Sequence, residues 1–383
     1  MTAARVRAAA PRTASDARFM ARALALAARG LGRTFPNPAV GAVFVRGGRV
    51  VGEGFHTRAG APHAEIEALR AAGRLATGAV LYVTLEPCVH HGRTPPCVDA
   101  LLPLGLERVV VAIADPDPRV RGRGLARLRR AGVPVLVGVG AAEATLLTEG
   151  YRSRVLRGRP LVTLKLATTL DGRIAPAGRS RRGSGPEWIT GPAARRLAHA
   201  LRDISDAVLV GAGTVRADDP RLTTRLRGGR DPVRVVVAGR GLELPAGARI
   251  LAPGGPPTWI VAPAGAAPAR VAALRRRGID VILEPARGPR VPFGAVVRAL
   301  GQRGLTTVLV EGGATVAAQA LAAGVVDRLV LFVAPLLLAG DGVPAVGPLG
   351  LRRVADAIRI EGLAVGRAGR DLVVEGRVRR RLP

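Results

Sequence analysis

The segment from His63 to Cys97 constrains this chain more than any other stretch, because it holds the only two cysteines of the sequence downstream of a His-x-Glu motif. The motif pairs His63 with Glu65; Cys88 follows Pro87, and Cys97 comes after it. One imidazole and two thiolates suit a catalytic zinc ion, which leaves a fourth position to a water of pKa roughly 7. Glu65 is placed to relay the proton of that water. This order of residues predicts a zinc deaminase that releases ammonia.

Other interpretations of these residues are a disulfide, inert core thiols and a surface histidine. The placement of both cysteines after the His-x-Glu motif favours a metal site, because metal-ligand spacing with a non-ligand carboxylate is a specific signal. The amino terminus has no apolar run of the signal-peptide type, so an oxidising compartment has no support and we expect a cytoplasmic protein. Eight residues separate the two cysteines, in contrast to the two of the usual deaminase signature.

The composition is that of a globular protein. With 383 residues and 48% hydrophobic content, the chain is long enough for two domains. It has no apolar run near the ~20 residues that span a bilayer. The formal net charge of +30 suggests nucleic acid, but all 58 basic residues except Lys165 are scattered arginines, and aromatic residues make up only 3%. We therefore expect neither nucleic acid nor a membrane as partner.

Residues 17–150 show strands alternating with helices, which predicts a layered α/β domain. Residues 1–16 are predicted to be a disordered tail, and Asp16 is the expected N-cap of the first helix. A hairpin over 40–45 and 49–56 precedes a helix over 63–72, whose first turn holds the histidine and the glutamate. A strand over 79–85 leads to Cys88, and Cys97 begins a short helix. One helix is expected over 141–156, with 151–158 as a linker.

The second half, residues 159–383, begins with a strand over 161–167 that carries Lys165. A lysine within an apolar strand is costly unless it is paired or faces a ligand, so Lys165 is a candidate for phosphate or substrate; the alternative is a charge on an edge strand. Thr190 is predicted to cap a helix over 192–201. A strand over 307–310 ends in Glu311 and two glycines before a helix, a pattern that lets backbone amides approach phosphate. A strict Rossmann fingerprint is absent.

These motifs resemble the bifunctional riboflavin-biosynthesis deaminase/reductase family over residues from about 18 to 375. The deaminase half is carried by the stretches 35–41, 62–65, 84–97 and 115–118, and the family shares the eight-residue gap between the cysteines. The resemblance implies a cytidine-deaminase-like three-layer domain with His63, Cys88 and Cys97 as zinc ligands and Glu65 as the catalytic proton shuttle. Asn37 would hold the pyrimidine, or would be a turn residue.

Three further histidines of this half were considered. His90 and His91 lie in a loop, where substrate or phosphate contact and simple exposure are equally open. His56 is assigned no role.

The stretches 164–172, 188–190, 213–220 and 310–314 resemble the reductase half of that family. The resemblance implies a dihydrofolate-reductase-like α/β fold and NADPH as cofactor. The residues implied to contact the cofactor are Thr168, Trp188, Thr214, Asp218 and the turn beginning at Gly313. Those implied or proposed to contact substrate are Lys165, Asp171, Arg202, Leu222, Arg225 and Glu311. The two arginines suit a phosphoribosyl group, with surface arginines as the alternative. Pro186 stands where the family often has serine, which removes a hydroxyl.

The resulting hypothesis is a bifunctional enzyme of riboflavin biosynthesis. Zinc-dependent deamination of a phosphoribosylaminopyrimidine would be followed by NADPH-dependent reduction of its ribosyl group to ribityl. Lys165 and Asp171 are the nearest candidates for acid/base work in the second step. The alternative is a zinc deaminase of nucleic-acid bases with a carboxyl-terminal binding module. A homo-oligomer is expected.

Overall fold

The protein, as a computed structural model, is described over residues 13–91, 95–177 and 188–379, and its chain divides into two compact units between Arg157 and Gly158. The helices of the first unit are α1 (Ala14–Ala28), α2 (Ala64–Ala72), α3 (Cys97–Leu101), α4 (Arg123–Arg130), α5 (Ala141–Leu147) and α6 (Glu149–Arg157). Its strands are β1 (Gly41–Arg46), β2 (Arg49–Phe55), β3 (Val80–Leu85), β4 (Arg108–Ile113) and β5 (Val135–Val137). None of the described helices is both long enough and apolar enough to cross a bilayer.

The first unit is a three-layer α/β/α sandwich, as predicted. Its five strands lie in the order β2-β1-β3-β4-β5, with β1 antiparallel to both neighbours and β3, β4 and β5 parallel. Helices α2, α3 and α4 bury apolar side chains on one face of the sheet, and α1 with Ala144 of α5 covers the other. Because parallel strands present their carboxyl ends at the same edge, Cys88 after β3 lies at the edge that β4 and β5 share.

The prediction that Asp16 caps the first helix is wrong. Thr13 is the N-cap: its hydroxyl accepts from the Asp16 amide at 3.2 Å, and the Asp16 carboxylate accepts from the Thr13 amide at 3.0 Å. Asp16 is fully buried and also accepts hydrogen bonds from Tyr82 at 2.8 Å and Arg108 at 2.6 Å. The last residues of the predicted disordered tail, 14–16, are therefore helical.

Helix α2 packs unusually close to β2 because two glycines remove side chains between them. A Cβ on Gly52 would lie 2.5 Å from the Ala68 carbonyl oxygen, and one on Gly54 would lie 2.5 Å from the Ala68 amide nitrogen. This close approach fixes the start of the helix, where His63 is the N-cap and Glu65 lies in the first turn.

The single helix expected over 141–156 is two helices, α5 and α6, which meet at Thr148. The Thr148 hydroxyl donates to the Ala144 carbonyl at 2.8 Å, a side-chain bond that competes with the helical ladder. Most of the segment expected as a linker therefore lies within α6.

The second unit contains the helices α7 (Pro192–Asp203), α8 (Ala212–Asp218), α9 (Pro268–Arg276), α10 (Phe293–Gln302) and α11 (Ala314–Ala322). Its strands are β6 (Leu161–Thr169), β7 (Arg173–Pro176), β8 (Ala207–Gly211), β9 (Val233–Val237), β10 (Thr258–Pro263), β11 (Asp280–Glu284), β12 (Thr307–Val310), β13 (Arg328–Ala334), β14 (Gly342–Pro344), β15 (Ile360–Ala368) and β16 (Asp371–Val378).

Nine of these strands form one sheet in the order β11-β10-β9-β8-β12-β6-β13-β16-β15. The strands from β11 to β13 are parallel, while β16 and β15 are antiparallel additions at one end. The carboxyl ends of β6, β8, β9 and β12 therefore share one edge, which is where open parallel sheets bind ligands.

The prediction that Thr190 caps helix α7 is wrong, and the helix continues past 201 to Asp203. Gly191 is the N-cap, and its amide donates to Asp371 at 2.7 Å. A carboxylate distant in sequence thus takes the place of a local cap. Pro186 lies outside the described residues.

Candidate active sites

The predicted zinc ligands His63, Cys88 and Cys97 come together in the first unit. The Nδ1 atom of His63 lies 3.2 Å from Cys97 Sγ and 3.5 Å from Cys88 Sγ, and the three donor atoms all lie within 4.8 Å of one another. Three elements deliver them: the N-cap of α2, the loop after β3 and the first residue of α3.

The spacing of these donor atoms fits zinc. With Zn–N near 2.0 Å and Zn–S near 2.3 Å, tetrahedral geometry separates nitrogen from sulfur by about 3.5 Å. A hydrogen bond from Cys97 and one from His63 lower the pKa of the Cys88 thiol to about 4, and the Cys97 amide donates to the same sulfur at 3.3 Å. The hydrogen bond to Cys88 raises the pKa of Cys97, which therefore ionises second. A bound metal ionises coordinating thiols.

Glu65 is the buried carboxyl group of this site, with 3% of its surface exposed. Burial, reinforced by the charge of the Cys88 thiolate, raises the pKa of Glu65 to about 7. A carboxyl group with such a pKa accepts and returns a proton near neutral pH, which is what a general acid/base requires.

The side chain of His56 borders the His63 ring and is itself bonded to Asn37. His56, which was assigned no role from the sequence, is buried, and its ring meets that of His63 edge-on at a centroid distance of 5.3 Å. Its Nδ1 lies 3.0 Å from the Pro62 carbonyl oxygen, and its Nε2 lies 3.0 Å from Nδ2 of Asn37. A carbonyl accepts only, so neutral His56 donates through Nδ1 and accepts through Nε2. Asn37 must then turn its amino group to His56, and its Oδ1 is left for other partners.

Glu86 holds together the loops around Cys88. Its carboxylate accepts four backbone amide hydrogen bonds, from Asp115, Gly122, Gly124 and Leu125, at 2.9–3.1 Å. These bonds tie the loop after β4 and the start of α4 to the strand end that carries Cys88. Of the two loop histidines, His91 is exposed and His90 is half-buried.

In the second unit, three of the predicted substrate residues form one largely buried ionic cluster, with side chains 8–15% exposed. Arg202 binds Glu311 through two parallel hydrogen bonds of 2.7 and 2.8 Å, and Lys165 Nζ lies 3.9 Å from Oε2 of Glu311. Burial acts to raise the pKa of Glu311, but Arg202 and Lys165 outweigh it and hold the pKa at about 2. Burial lowers the pKa of Lys165. The cluster carries two positive charges and one negative charge, so one positive charge is left for an anionic ligand.

Leu222 and Arg225 lie in the loop after α8, close to this cluster through Thr223, whose carbonyl accepts from Arg202 at 3.0 Å. Leu222 has φ 54° and Arg225 has φ 56°. Positive φ at non-glycine residues is a strained conformation that concentrates at ligand sites. Leu222 is buried, whereas the Arg225 side chain is exposed.

Three of the predicted cofactor residues line a cleft of about 1190 Å³: Thr214, Asp218 and Gly313. The Gly313 amide, at the N-cap of α11, donates to the Thr214 hydroxyl at 3.3 Å. A Cβ on Gly213, which also lines the cleft, would meet no atom within 4 Å, so its backbone is open to a ligand. A large cleft with open glycine backbone fits a dinucleotide.

The structure does not bring the other two predicted cofactor residues to the lining of this cleft. Thr168 is buried within β6. Trp188 is half-exposed beside a smaller cavity, with the Arg195 guanidinium 5.0 Å from its ring centre. Asp171 is occupied by structural bonds: it accepts from Thr169 at 2.5 Å and from the Leu338 amide at 3.2 Å.

The segment 227–257, to which no site was assigned, contributes Gly239, Arg240, Glu243 and Arg249 to the cleft. The only sequence signal for this was the Gly-Arg-Gly tripeptide directly after a strand.

Comparison with known proteins gives matches over both units. The family model described as "RibD C-terminal domain" matches residues 160–374, and that described as "Cytidine and deoxycytidylate deaminase zinc-binding region" matches residues 13–113. The riboflavin biosynthesis protein RibD of Aquifex aeolicus (strain VF5) is 41% identical, covering 94% of this chain and 97% of that protein.

Two solved structures share the architecture. RibD of Acinetobacter baumannii has a TM-score of 0.84 at 37% identity, over 95% of this chain and 99% of its own. The diaminohydroxyphosphoribosylaminopyrimidine deaminase/5-amino-6-(5-phosphoribosylamino)uracil reductase of Thermotoga maritima has a TM-score of 0.82 at 36% identity, with the same coverage.

Proposed function

Because this chain belongs to the RibD family, the bifunctional deaminase/reductases of riboflavin biosynthesis, we propose that its two reactions take place at the two sites described above. The first converts the diaminohydroxyphosphoribosylaminopyrimidine to its deaminated product, and the second reduces the ribosyl group of that product. The observation that supports this most directly is the triad His63, Cys88 and Cys97 beside the buried Glu65.

In the deaminase site, His63, Cys88 and Cys97 hold zinc, which when bound supplies an ionised water as nucleophile near neutral pH. Glu65 takes up a proton at its carboxylate and delivers it to the nitrogen that leaves as ammonia. Asn37, oriented by His56, offers Oδ1 as an acceptor to a donor group of the pyrimidine. His56 is thus a positioning residue, because it acts on the substrate through Asn37.

In the reductase site, Arg202 and Lys165 bind the phosphoribosyl part of the substrate around Glu311. Thr214, Asp218 and Gly313 bind NADPH, which supplies the hydride. Arg225 and Leu222 border the substrate from the strained loop, and Thr168 and Trp188 remain proposed cofactor contacts. Asp171 shapes the turn after β6 rather than exchanging a proton, since its carboxylate oxygens are already bonded.

The proposal is tested by mass spectrometry of the products formed from the phosphoribosylaminopyrimidine, with and without NADPH. Exchange of an amino group for oxygen without cofactor, and gain of two hydrogens only with NADPH, are the expected results. If zinc-loaded protein produces neither change, the proposal is wrong, and nucleic-acid bases are the next substrates to examine.

Replacement of one ligand tests the metal assignment separately. Cys88→Ser is expected to lose most of its bound zinc, because a hydroxyl is a poor substitute for a thiolate. Metal content is measured by atomic emission on protein purified without chelator. The loop variant His91→Ser serves as the control, and unchanged zinc in Cys88→Ser would remove Cys88 from the ligand set.

We also propose that the protein is a cytoplasmic homo-oligomer that does not bind nucleic acid. The homo-oligomer is supported by strand β15, the last strand of the nine-stranded sheet, which leaves Leu363 and Val365 61% and 67% exposed. An apolar edge strand of this kind is usually covered. Sedimentation equilibrium is expected to give a multiple of the chain mass, and a monomer at all concentrations would contradict the proposal.

A further inference from the structure

The cofactor cleft of the second unit is lined by four arginines, two of which are paired with carboxylates. Arg249 Nε lies 3.0 Å from Asp219 Oδ2, and Arg216 Nη1 lies 3.7 Å from Glu243 Oε2. These pairs neutralise Asp219 and Glu243, two of the acidic groups that line the cleft.

The other two arginines, Arg240 and Arg290, form no ion pair with any carboxylate in the described part of the chain. Both side chains are exposed to the cleft. They lie in different loops that are tied together, because the Arg240 amide donates to the Pro289 carbonyl at 3.1 Å. The Arg240 carbonyl also accepts from Ala267 at 3.0 Å, so its backbone is fixed on both sides. Two guanidinium groups without a carboxylate partner suit a phosphate dianion, which arginine binds through charge-assisted hydrogen bonds.

Their position along the sheet indicates which phosphate they bind. Lys165 lies on β6 and Glu311 follows β12, so hydride transfer takes place near these strands. Moving along the sheet from β6, the next strands are β12 and β8, each followed by a glycine turn, and then β9, which is followed by Arg240. From β6 to β9 is three strand spacings, about 14 Å. A dinucleotide with its nicotinamide at the substrate and its diphosphate at the glycine turns therefore places its adenosine at Arg240 and Arg290.

We propose that Arg240 and Arg290 bind the 2′-phosphate of the adenosine ribose and thereby select NADPH over NADH. This inference rests on the proposed location of the reductase site. Sites selective for NADH place a free carboxylate at the ribose 2′-hydroxyl. Here Asp219 and Glu243 are both paired with arginines, whereas Arg240 and Arg290 pair with no carboxylate among the described residues, which favours an anion beside these two arginines.

Calorimetric titration of the full-length protein with 2′,5′-ADP and with 5′-AMP tests the inference, because the two probes differ only in the 2′-phosphate. Arg240→Ala and Arg290→Ala are each expected to weaken 2′,5′-ADP binding about 10- to 100-fold, the range of one charge-assisted hydrogen bond. Binding of 5′-AMP is expected to stay the same. The ratio of kcat/KM for NADPH to that for NADH should fall by a similar factor.

Arg276→Ala is the matched control, since Arg276 is an exposed arginine of α9 outside the cleft lining. An equal loss in this variant would mean that only the overall charge matters and would overturn the inference. Unchanged 2′,5′-ADP binding in Arg240→Ala and Arg290→Ala, with 5′-AMP still bound, would also overturn it while leaving the reductase site intact. If the wild type binds neither probe and does not oxidise NADPH with substrate, the proposed reductase site itself is wrong.

Discussion

Replacing Glu65 with glutamine is expected to lower the rate of deamination by about 10²- to 10⁴-fold, the usual contribution of a general acid/base. Glutamine keeps the size and hydrogen-bonding shape of the side chain but cannot take up and release a proton. Glu65 lies in the first turn of α2 and is buried, so no solvent group replaces it. Zinc content should be unchanged, because the three donor atoms come from His63, Cys88 and Cys97.

Glu67→Gln is the matched control for this variant. Glu67 lies two residues further along the same helix, is half-buried and pairs with Arg70 at 3.2 Å. Deamination should be nearly unaffected in the control, and both variants should still reduce the deaminated intermediate with NADPH. Loss of reduction in a correctly folded Glu65→Gln protein would contradict the assignment of the two reactions to separate sites.

The zinc site was predictable from the sequence because each of its residues marks the end of a local element. His63 begins a helix, Cys88 follows a continuous apolar strand, and Cys97 begins a second helix; all three elements are present as predicted, within one or two residues. Parallel strands and the helices that follow them meet at one edge of a sheet, so local order alone determined that the donors would converge.

The two helix caps were mispredicted for different reasons: the local Thr-x-x-Asp pattern already contains the capping box of Thr13 and Asp16, whereas the cap of α7 depends on a distant residue. Asp16 and Thr190 both have the residue type of an N-cap, but Thr13 and Gly191 hold that position. In the second case the capping bond comes from Asp371, 180 residues away. A scan of neighbouring residues has no means of finding such a partner.

Residues that act through others were also missed. His56 has no spacing pattern of its own, and its relation to Asn37 depends on a hairpin that folds back onto the loop before it. Arg240 is one of many arginines, and only the order of strands in the sheet distinguishes it by placing the end of β9 beside the ends of β8 and β12. In an arginine-rich chain, three-dimensional position carries the information that residue type does not.

The ionic cluster of the second unit leads to the other large expected effect. Glu311→Gln leaves the largely buried charges of Arg202 and Lys165 without a counter-ion, and removing one partner of a buried ion pair typically costs about 3–5 kcal/mol. The free energy of unfolding of the second unit should fall by this amount at pH 7, and reduction should be lost, since Arg202 is no longer held in place. Urea unfolding and NADPH oxidation measure the two effects.

The difference in stability between the wild type and Glu311→Gln depends on pH, and its direction follows from the lowered pKa of Glu311. The pKa of Glu311 is about 2 in the folded protein, against an ordinary value of 4.5. Its ionised form therefore contributes stability that is fully present above pH 4.5 and is lost as the pH falls towards 2. The lowering of this pKa from 4.5 to about 2 corresponds to about 3 kcal/mol in the free energy of unfolding. The difference between wild type and Glu311→Gln should be constant from pH 7 to about 5 and shrink below that range.

Two further variants test whether the stability lost in Glu311→Gln is caused by uncompensated charge. Glu375→Gln removes an exposed carboxylate from β16 in the same sheet and should change stability by less than about 0.5 kcal/mol. Adding Lys165→Met to Glu311→Gln removes one of the two uncompensated charges and should recover part of the lost stability, without restoring reduction. If the double variant is instead less stable than Glu311→Gln, or if Glu375→Gln costs as much, the cluster is not stabilised by charge compensation. Recovery of stability without activity would separate the two roles of Glu311: neutralising buried cations and holding Arg202 in position for the substrate.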